Sequence, residues 1–178
     1  MPRILAFSGS SSSTSINQQL VKAVVRHLDK DDVTLIDIRD YPLPQFSVDI
    51  EQAEGSPENA GRLKTLFDDH DAFIISSPEH NGSMPVIFKN MIDWLSRLEG
   101  TIFQDKPILL MSASPGQGGG KTNLNNLLSL VPWWGGKVVS HLSVGNFSDV
   151  FDGASGNFTD PELDGKARDA IGILKGAL

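Results

Sequence analysis

The sequence predicts a doubly wound α/β domain: a five-stranded parallel sheet in the order 2-1-3-4-5 with helices on both faces. Five short apolar runs alternate with amphipathic segments, the pattern of strands buried on both sides and joined by helical crossovers. Such crossovers are right-handed. The loops with unusual composition follow the first, third and fourth runs. In that strand order these three lie side by side, and ligands bind beyond their carboxyl ends at the switch point. The 178 residues fit one domain, 1–178, with one sizeable core.

Each element has its own signal. Residues 3–7 (RILAF) form a compact apolar run that stops at Ser8-Gly9-Ser10. Ile16, Leu20, Val21, Val24, Val25 and Leu28 then recur at helical spacing. Val33 to Ile38 is the second run, and Pro42, Pro44 and Pro57 make the next segment a long surface crossing, since proline suits neither a central strand nor a helix interior. Leu63, Leu66 and Phe67 mark a helix before the buried strand Ala72 to Ile75. Val86, Ile87, Met91, Ile92, Leu95 and Leu98 form one apolar helical stripe, with Gly100 where a helix would stop. Pro107 to Met111 is the fourth strand, a helix covers roughly 121–130, and Lys137 to about Val144 is the fifth strand. Thr159-Asp160-Pro161-Glu162 supplies a cap, a proline and an acid in the order that starts a final helix. The loops after the second and fifth strands read as ordinary connections.

Composition removes several classes of function. The net charge is −7, whereas binding to a phosphate backbone needs a basic face; nucleic acid is not an expected partner. There is no cysteine, and His27, His70, His80 and His141 show no ligand spacing, so no metal site is expected. The apolar runs are too short to span a membrane. Met1-Pro2-Arg3 leads into a run too short for a signal-peptide core, which gives a cytoplasmic expectation.

The first loop, Ser8 to Asn17, has a hydroxyl or amide at almost every position and opens directly into a helix. Free N–H groups at a helix start, with neutral donors around them, suit an anion such as phosphate; the plain alternative is a serine-rich N-cap turn. The second loop, Pro78-Glu79-His80-Asn81-Gly82-Ser83, contains Asn-Gly, which tolerates positive φ and can aim backbone groups at a planar heterocycle. Its plain alternative is a simple connection. In the third, Pro115-Gly116-Gln117-Gly118-Gly119-Gly120, glycine lets a ring approach the main chain, unless the segment is only a mobile linker. Gly119-Gly120-Lys121-Thr122 imitates a nucleotide P-loop, but Pro115 stands where the first glycine is required.

At these loops the chain resembles the NADPH-dependent FMN reductase family of flavodoxin-like quinone, azo-compound and chromate reductases. The most specific stretch is Pro78-Glu79-His80-Asn81-Gly82-Ser83-Met84-Pro85 with Lys89-Asn90-Met91-Ile92-Asp93-Trp94-Leu95-Ser96-Arg97, similar to the family's P-E-Y-N-G-S-x-P and K-N-x-x-D-W-x-S. Gly9-Ser10 with Ser15 and Asn17, and Ser112 to Gly116, support it. The resemblance implies that Ser10, Ser12, Ser15, Ile16 and Asn17 bind the FMN phosphate region. It also implies that Pro78, Glu79, His80, Asn81 and Gly82, with Ser114, Pro115, Gly116 and Gln117, border the isoalloxazine. Ser12 stands where the family has arginine and His80 where it has tyrosine. Lys89, Asn90, Asp93, Trp94 and Arg97 read as helix packing and surface polarity, and Trp133 and Trp134 as core or interface packing.

The implied activity is passage of reducing equivalents from NADPH or NADH, through FMN, to a small acceptor such as a quinone, an azo compound or an oxyanion. No side chain need act as acid or base, because the cofactor carries the chemistry. A homodimer or homotetramer is implied by the resemblance alone. Two other readings stay open at this point: a flavodoxin-type electron carrier using its acidic surface for docking, and a flavin-free binding module of the same fold.

Overall fold

In the computed structural model, which describes residues 2–29 and 32–178, β1 (Ile4–Ser8) is buried at every position. Met1 lies outside the described residues. Parallel pairing joins β1 to β2 (Val33–Leu35) on one side and to β3 (Ala72–Ser76) on the other, and β4 (Pro107–Ala113) and β5 (Lys137–Val144) complete the order β2-β1-β3-β4-β5. The sheet and its order are those the sequence predicts.

Strand periodicity divides the core in two. Ile4 and Ala6 of β1, Ile74 of β3 and Leu109 and Met111 of β4 meet Leu20, Val21 and Val24 of α1 (Ile16–Val24) and Ile171 and Leu174 of the final helix. Leu5, Phe7, Phe73, Ile75, Ile108 and Leu110 meet the other face, covered by α3 (Glu58–Asp69), α4 (Val86–Leu95) and α5 (Lys121–Leu130). There the Phe67 ring packs, tilted, with its centroid 4.9 Å from that of Phe73 and 5.5 Å from that of Phe103. Lys106 closes this side by donating from Nζ to the last-turn carbonyls of Phe67 (2.7 Å) and Asp68 (2.9 Å) of α3, and burial pushes its pKa down.

Three connections differ from expectation. The first helix ends at Val24 and a 3₁₀ turn, Val25–His27, carries its apolar stripe to Leu28. The second strand stops at Leu35, short of Ile38, because Asp37 caps a second 3₁₀ turn (Ile38–Asp40) by accepting from Arg39 N. The Arg39 guanidinium beside it holds the Asp37 carboxyl below the usual carboxylate range. The proline-rich crossing is a strap over α4: Asn90 accepts from Phe46 N (2.7 Å) and donates to Pro44 O (2.9 Å), and buried Trp94 donates its Nε1–H to the same carbonyl (2.8 Å). Asn90 and Trp94 are thus packing residues, and Lys89 pairs along the helix with Asp93.

That crossing also holds an unforeseen helix, α2 (Val48–Glu54), capped by Ser47 and with Asp49 and Glu51 favourably placed in its first turn. Nor is the connection after β5 ordinary. It forms α6 (Phe147–Val150) and a small hairpin of β6 (Phe151–Asp152) and β7 (Asn157–Phe158). Arg26 of the 3₁₀ turn anchors the hairpin through Ser155 O (3.0 Å) and Asn157 Oδ1. Hydrogen bonds from Ser155, then from the Ala154 backbone, hold the Asp152 carboxyl below its ordinary pKa. The last helix, α7 (Pro161–Gly176), starts as predicted, with Asp160 accepting from Glu162 N at 2.9 Å. Among the described residues no helix is long and apolar enough to cross a membrane.

Candidate functional site

At the carboxyl ends of β1, β3 and β4 the chain leaves an open crevice of about 380 Å³. Ser10, Ser12, Ser15, Ile16 and Asn17 line it from the first loop, Pro78, Glu79 and His80 from the second, and Ser114 and Pro115 from the third. Thr14 and Ala113 also line it. Both adjoin residues that the sequence singles out, but neither carries a motif signal of its own.

The first loop folds on its own hydroxyls. Ser12 N donates to Ser10 Oγ (3.2 Å), Thr14 N to Ser12 Oγ (3.3 Å) and Gln18 N to Ser15 Oγ (3.2 Å), the last being the cap of α1. Gln19 N is taken by Ser15 O. The N–H groups of Ile16 and Asn17 in the same turn have no partner among the described residues, and no acid stands in that turn. A helix start with open N–H groups and ready hydroxyl donors is chemically suited to an anion.

Asn17 requires a correction in its role. Its side chain is 1% exposed and does not offer itself to a phosphate. Nδ2 donates to Ala113 O (2.9 Å), while Oδ1 accepts from Ala113 N (2.9 Å) and Ser76 Oγ (2.7 Å). β3 ends at Ser76, so the Asn17 amide takes the place of the next rung beside β4. What remains for an anion is the Asn17 backbone N–H.

The second loop is a tight turn: His80 N donates to Ser83 O (2.8 Å) and Ser83 N to His80 O (3.1 Å). Asn81 (φ 52°) and Gly82 (φ 76°) occupy its tip, the geometry that favours Asn-Gly. The tip turns toward α5, where Asn126 donates to Gly82 O (3.1 Å), so Asn81 and Gly82 do not line the crevice. Pro78 is fixed from behind by Asn123 Nδ2, which donates to its carbonyl at 2.8 Å. Glu79 accepts from Asn123 N (2.9 Å) and so caps α5, whose own cap residue, Gly120, has no side chain to do it.

The third loop is held rather than mobile. Asn146 N donates to Gly116 O (2.9 Å), Phe147 N to Ser114 O (3.2 Å) and Ser143 Oγ to Gly119 O (2.9 Å). These bonds draw Gly116 and Gln117 against the exit of β5, and neither lines the crevice. Gly120 is needed in its place: φ is +67°, and a Cβ there would lie 2.0 Å from Ser112 Oγ, which is bonded to Ser77 O. Gly120→Ala is expected to lower stability by about 2–3 kcal/mol through left-handed strain and overpacking, read as a shift of the urea midpoint. Trp133 and Trp134 sit at the opposite, amino end of β5; Trp134 packs on the core and Trp133 is exposed.

Comparison with known proteins agrees with this architecture. Residues 2–149 match the model of the family described as NADPH-dependent FMN reductase. An uncharacterised protein of Mycoplasma pneumoniae is 30% identical over 148 residues, covering 80% of this chain and 87% of that one. A quinone reductase of Escherichia coli is 38% identical over 78 residues, which span 44% of this chain and 42% of that protein. Among solved structures, the flavoenzyme NAD(P)H:(acceptor) oxidoreductase FerB of Paracoccus denitrificans superposes with a TM-score of 0.82 over 99% of both chains at 23% identity, a likeness of fold. With a flavodoxin-like sheet and a family match over most of its length, the chain belongs to the NADPH-dependent FMN reductase family of NAD(P)H-dependent oxidoreductases.

Proposed function

We propose that the chain binds FMN in the crevice and uses it to reduce quinones at the expense of NADH or NADPH, with azo compounds and oxyanions as further acceptors. The observation that carries this reading is the pair of unpartnered N–H groups of Ile16 and Asn17 at the wall of a hydroxyl-lined crevice. The crevice volume lies in the range typical of ligand sites, and the residues present fit the group. When bound, FMN supplies two-electron transfer between nicotinamide and acceptor.

The chain's own part is binding and orientation. Ile16 N–H, Asn17 N–H and the hydroxyls of Ser10, Ser12 and Ser15 hold the phosphate. Pro78 and Pro115 form rigid walls for the ring system, and Ser114 and the backbone around it border the ring's polar edge. Glu79 supports the wall through α5, and His80 stands exposed at the rim. In Asn81, Gly82, Gly116 and Gln117 we place the outer border of the ring site, beyond the present lining. The resemblance further supports a homodimer or homotetramer.

One crevice serving donor and acceptor in succession requires that the first product leave before the second substrate enters. Steady-state kinetics of the FMN-loaded protein, with a soluble quinone and either nicotinamide, is therefore expected to give parallel double-reciprocal lines. Intersecting lines would show both substrates bound at once. No oxidation of NADH or NADPH with any acceptor would leave the carrier, if FMN is retained, or the flavin-free module, if it is not.

A further inference from the structure

Beside the crevice lies a shelf of about 230 Å³ formed by Ile16, Gln19, Pro115, Phe147, Phe151 and Gly153, with Ser148 at its rim. It is continuous with the crevice, since Ile16 and Pro115 line both. Its floor is the Phe147 and Phe151 pair, stacked at 4.7 Å, and its far wall is the start of the β6–β7 hairpin that Arg26 pins in place. The side chains of Gln19, half-buried, and Ser148, exposed, make no hydrogen bond among the described residues. An apolar slot with an unused amide and hydroxyl at its edge matches a purine, which presents flat faces and a polar rim.

Position narrows the ligand further. Ile16 follows the α1 cap directly and Gln19 lies three residues on, about 4.5 Å along the axis and on the same side of the helix. That offset suits a second phosphate and ribose attached to a group seated at the helix start. Charge does not oppose it: a terminal phosphate monoester carries about −1.5 to −2 at neutral pH, close to what the two diesters of a diphosphate bridge carry together. The neutral first loop therefore faces the same charge from a mononucleotide as from a dinucleotide.

We propose that this shelf is an adenosine subsite, which takes the adenosine end of a dinucleotide whose other end lies in the crevice; the proposal rests on the phosphate seat described above. Two dinucleotides carry that chemistry: FAD in place of FMN, with its own diphosphate on the seat, and the nicotinamide donor, which would reach the shelf past a seat that FMN already holds. Gly153 allows a test, because a Cβ there would meet nothing within 4 Å and its φ is not in the left-handed region. Gly153→Trp fills the shelf, while Gly153→Ala changes the backbone residue and leaves the shelf open.

Flavin fluorescence titration with FMN and FAD, and calorimetry of ADP-ribose with the FMN-loaded protein, separate the sources. If the subsite serves the flavin, FAD binds at least fivefold more tightly than FMN and Gly153→Trp removes the difference. If it serves the donor, ADP-ribose binds and Gly153→Trp abolishes the heat. In both cases the FMN dissociation constant stays within twofold, Gly153→Ala behaves as wild type, and unchanged thermal melting shows both variants folded. A wild type with neither an FAD advantage nor ADP-ribose binding overturns the subsite, as does Gly153→Trp leaving both ligands unaffected. If the wild type holds no FMN, the reading of the crevice falls; ADP-ribose binding to the unloaded protein, lost in Gly153→Trp, then still decides the shelf.

Discussion

Asn17→Ala is expected to destabilise the protein by about 3–5 kcal/mol, because three buried partners lose their bonds at once and each unmet group costs about 1–3 kcal/mol. The partners are Ala113 N, Ala113 O and Ser76 Oγ. In a chain of this length the melting temperature is expected to fall by roughly 6–20 °C, a large part of a typical stability of about 5–15 kcal/mol. Urea unfolding is the direct measurement: the midpoint drops while the slope stays constant. A midpoint equal to wild type would mean that the amide does not complete the sheet. Because this variant damages the frame, any loss of flavin binding in it cannot be read as a lost phosphate contact.

The phosphate contact is instead tested by Ser10→Ala with Ser15→Ala. Two hydrogen bonds to a charged group contribute about 1.5–3 kcal/mol each, so FMN affinity is expected to fall by roughly two to four orders of magnitude. Riboflavin lacks the phosphate, and its affinity is expected to be unchanged. Ser15→Ala also removes the α1 cap on Gln18 N, which costs about 1 kcal/mol of stability and is followed separately by thermal melting. Equal losses for FMN and riboflavin would place the phosphate elsewhere. An unchanged FMN constant would remove both hydroxyls from the phosphate seat and leave only the N–H groups of Ile16 and Asn17 to hold it.

What the sequence discloses is what is local. β1, the Asp160-Pro161 start of α7 and the Asn81-Gly82 turn are written in neighbouring residues, and all three form where those residues place them. The convergence of three loops is legible as well, because strand order alone brings them together. The role of Asn17 is not legible. Beside a serine-rich helix start an asparagine reads as a phosphate donor, and only the end of β3 at Ser76, opposite Met111 and two residues short of Ala113, turns its amide inward. α2 is hidden by the prolines that surround it, although its Ser47 cap and acidic first turn are ordinary signals. The β6–β7 hairpin has strands of two residues, too short to carry any periodicity. Composition points Gly116 and Gln117 at the ring, but it is the backbone of Asn146 that decides where Gly116 goes.

The bond from Asn17 to Ala113 spans 96 residues of chain, and that separation governs when the site comes into being. A parallel sheet pairs strands only after each crossover has been closed, so its contacts are distant in sequence and form slowly. β1 must acquire β3, and β3 must acquire β4, before the amide of Asn17 has a peptide to hold. The helix start and the Pro115 wall are therefore fixed relative to each other only once β4 has paired with β3. FMN bound as proposed would, on arriving early, meet a first loop with no opposite wall. Refolding is accordingly expected to be set by the bare polypeptide, while FMN bound as proposed would act on the return path, slowing unfolding by holding together two segments far apart in the chain.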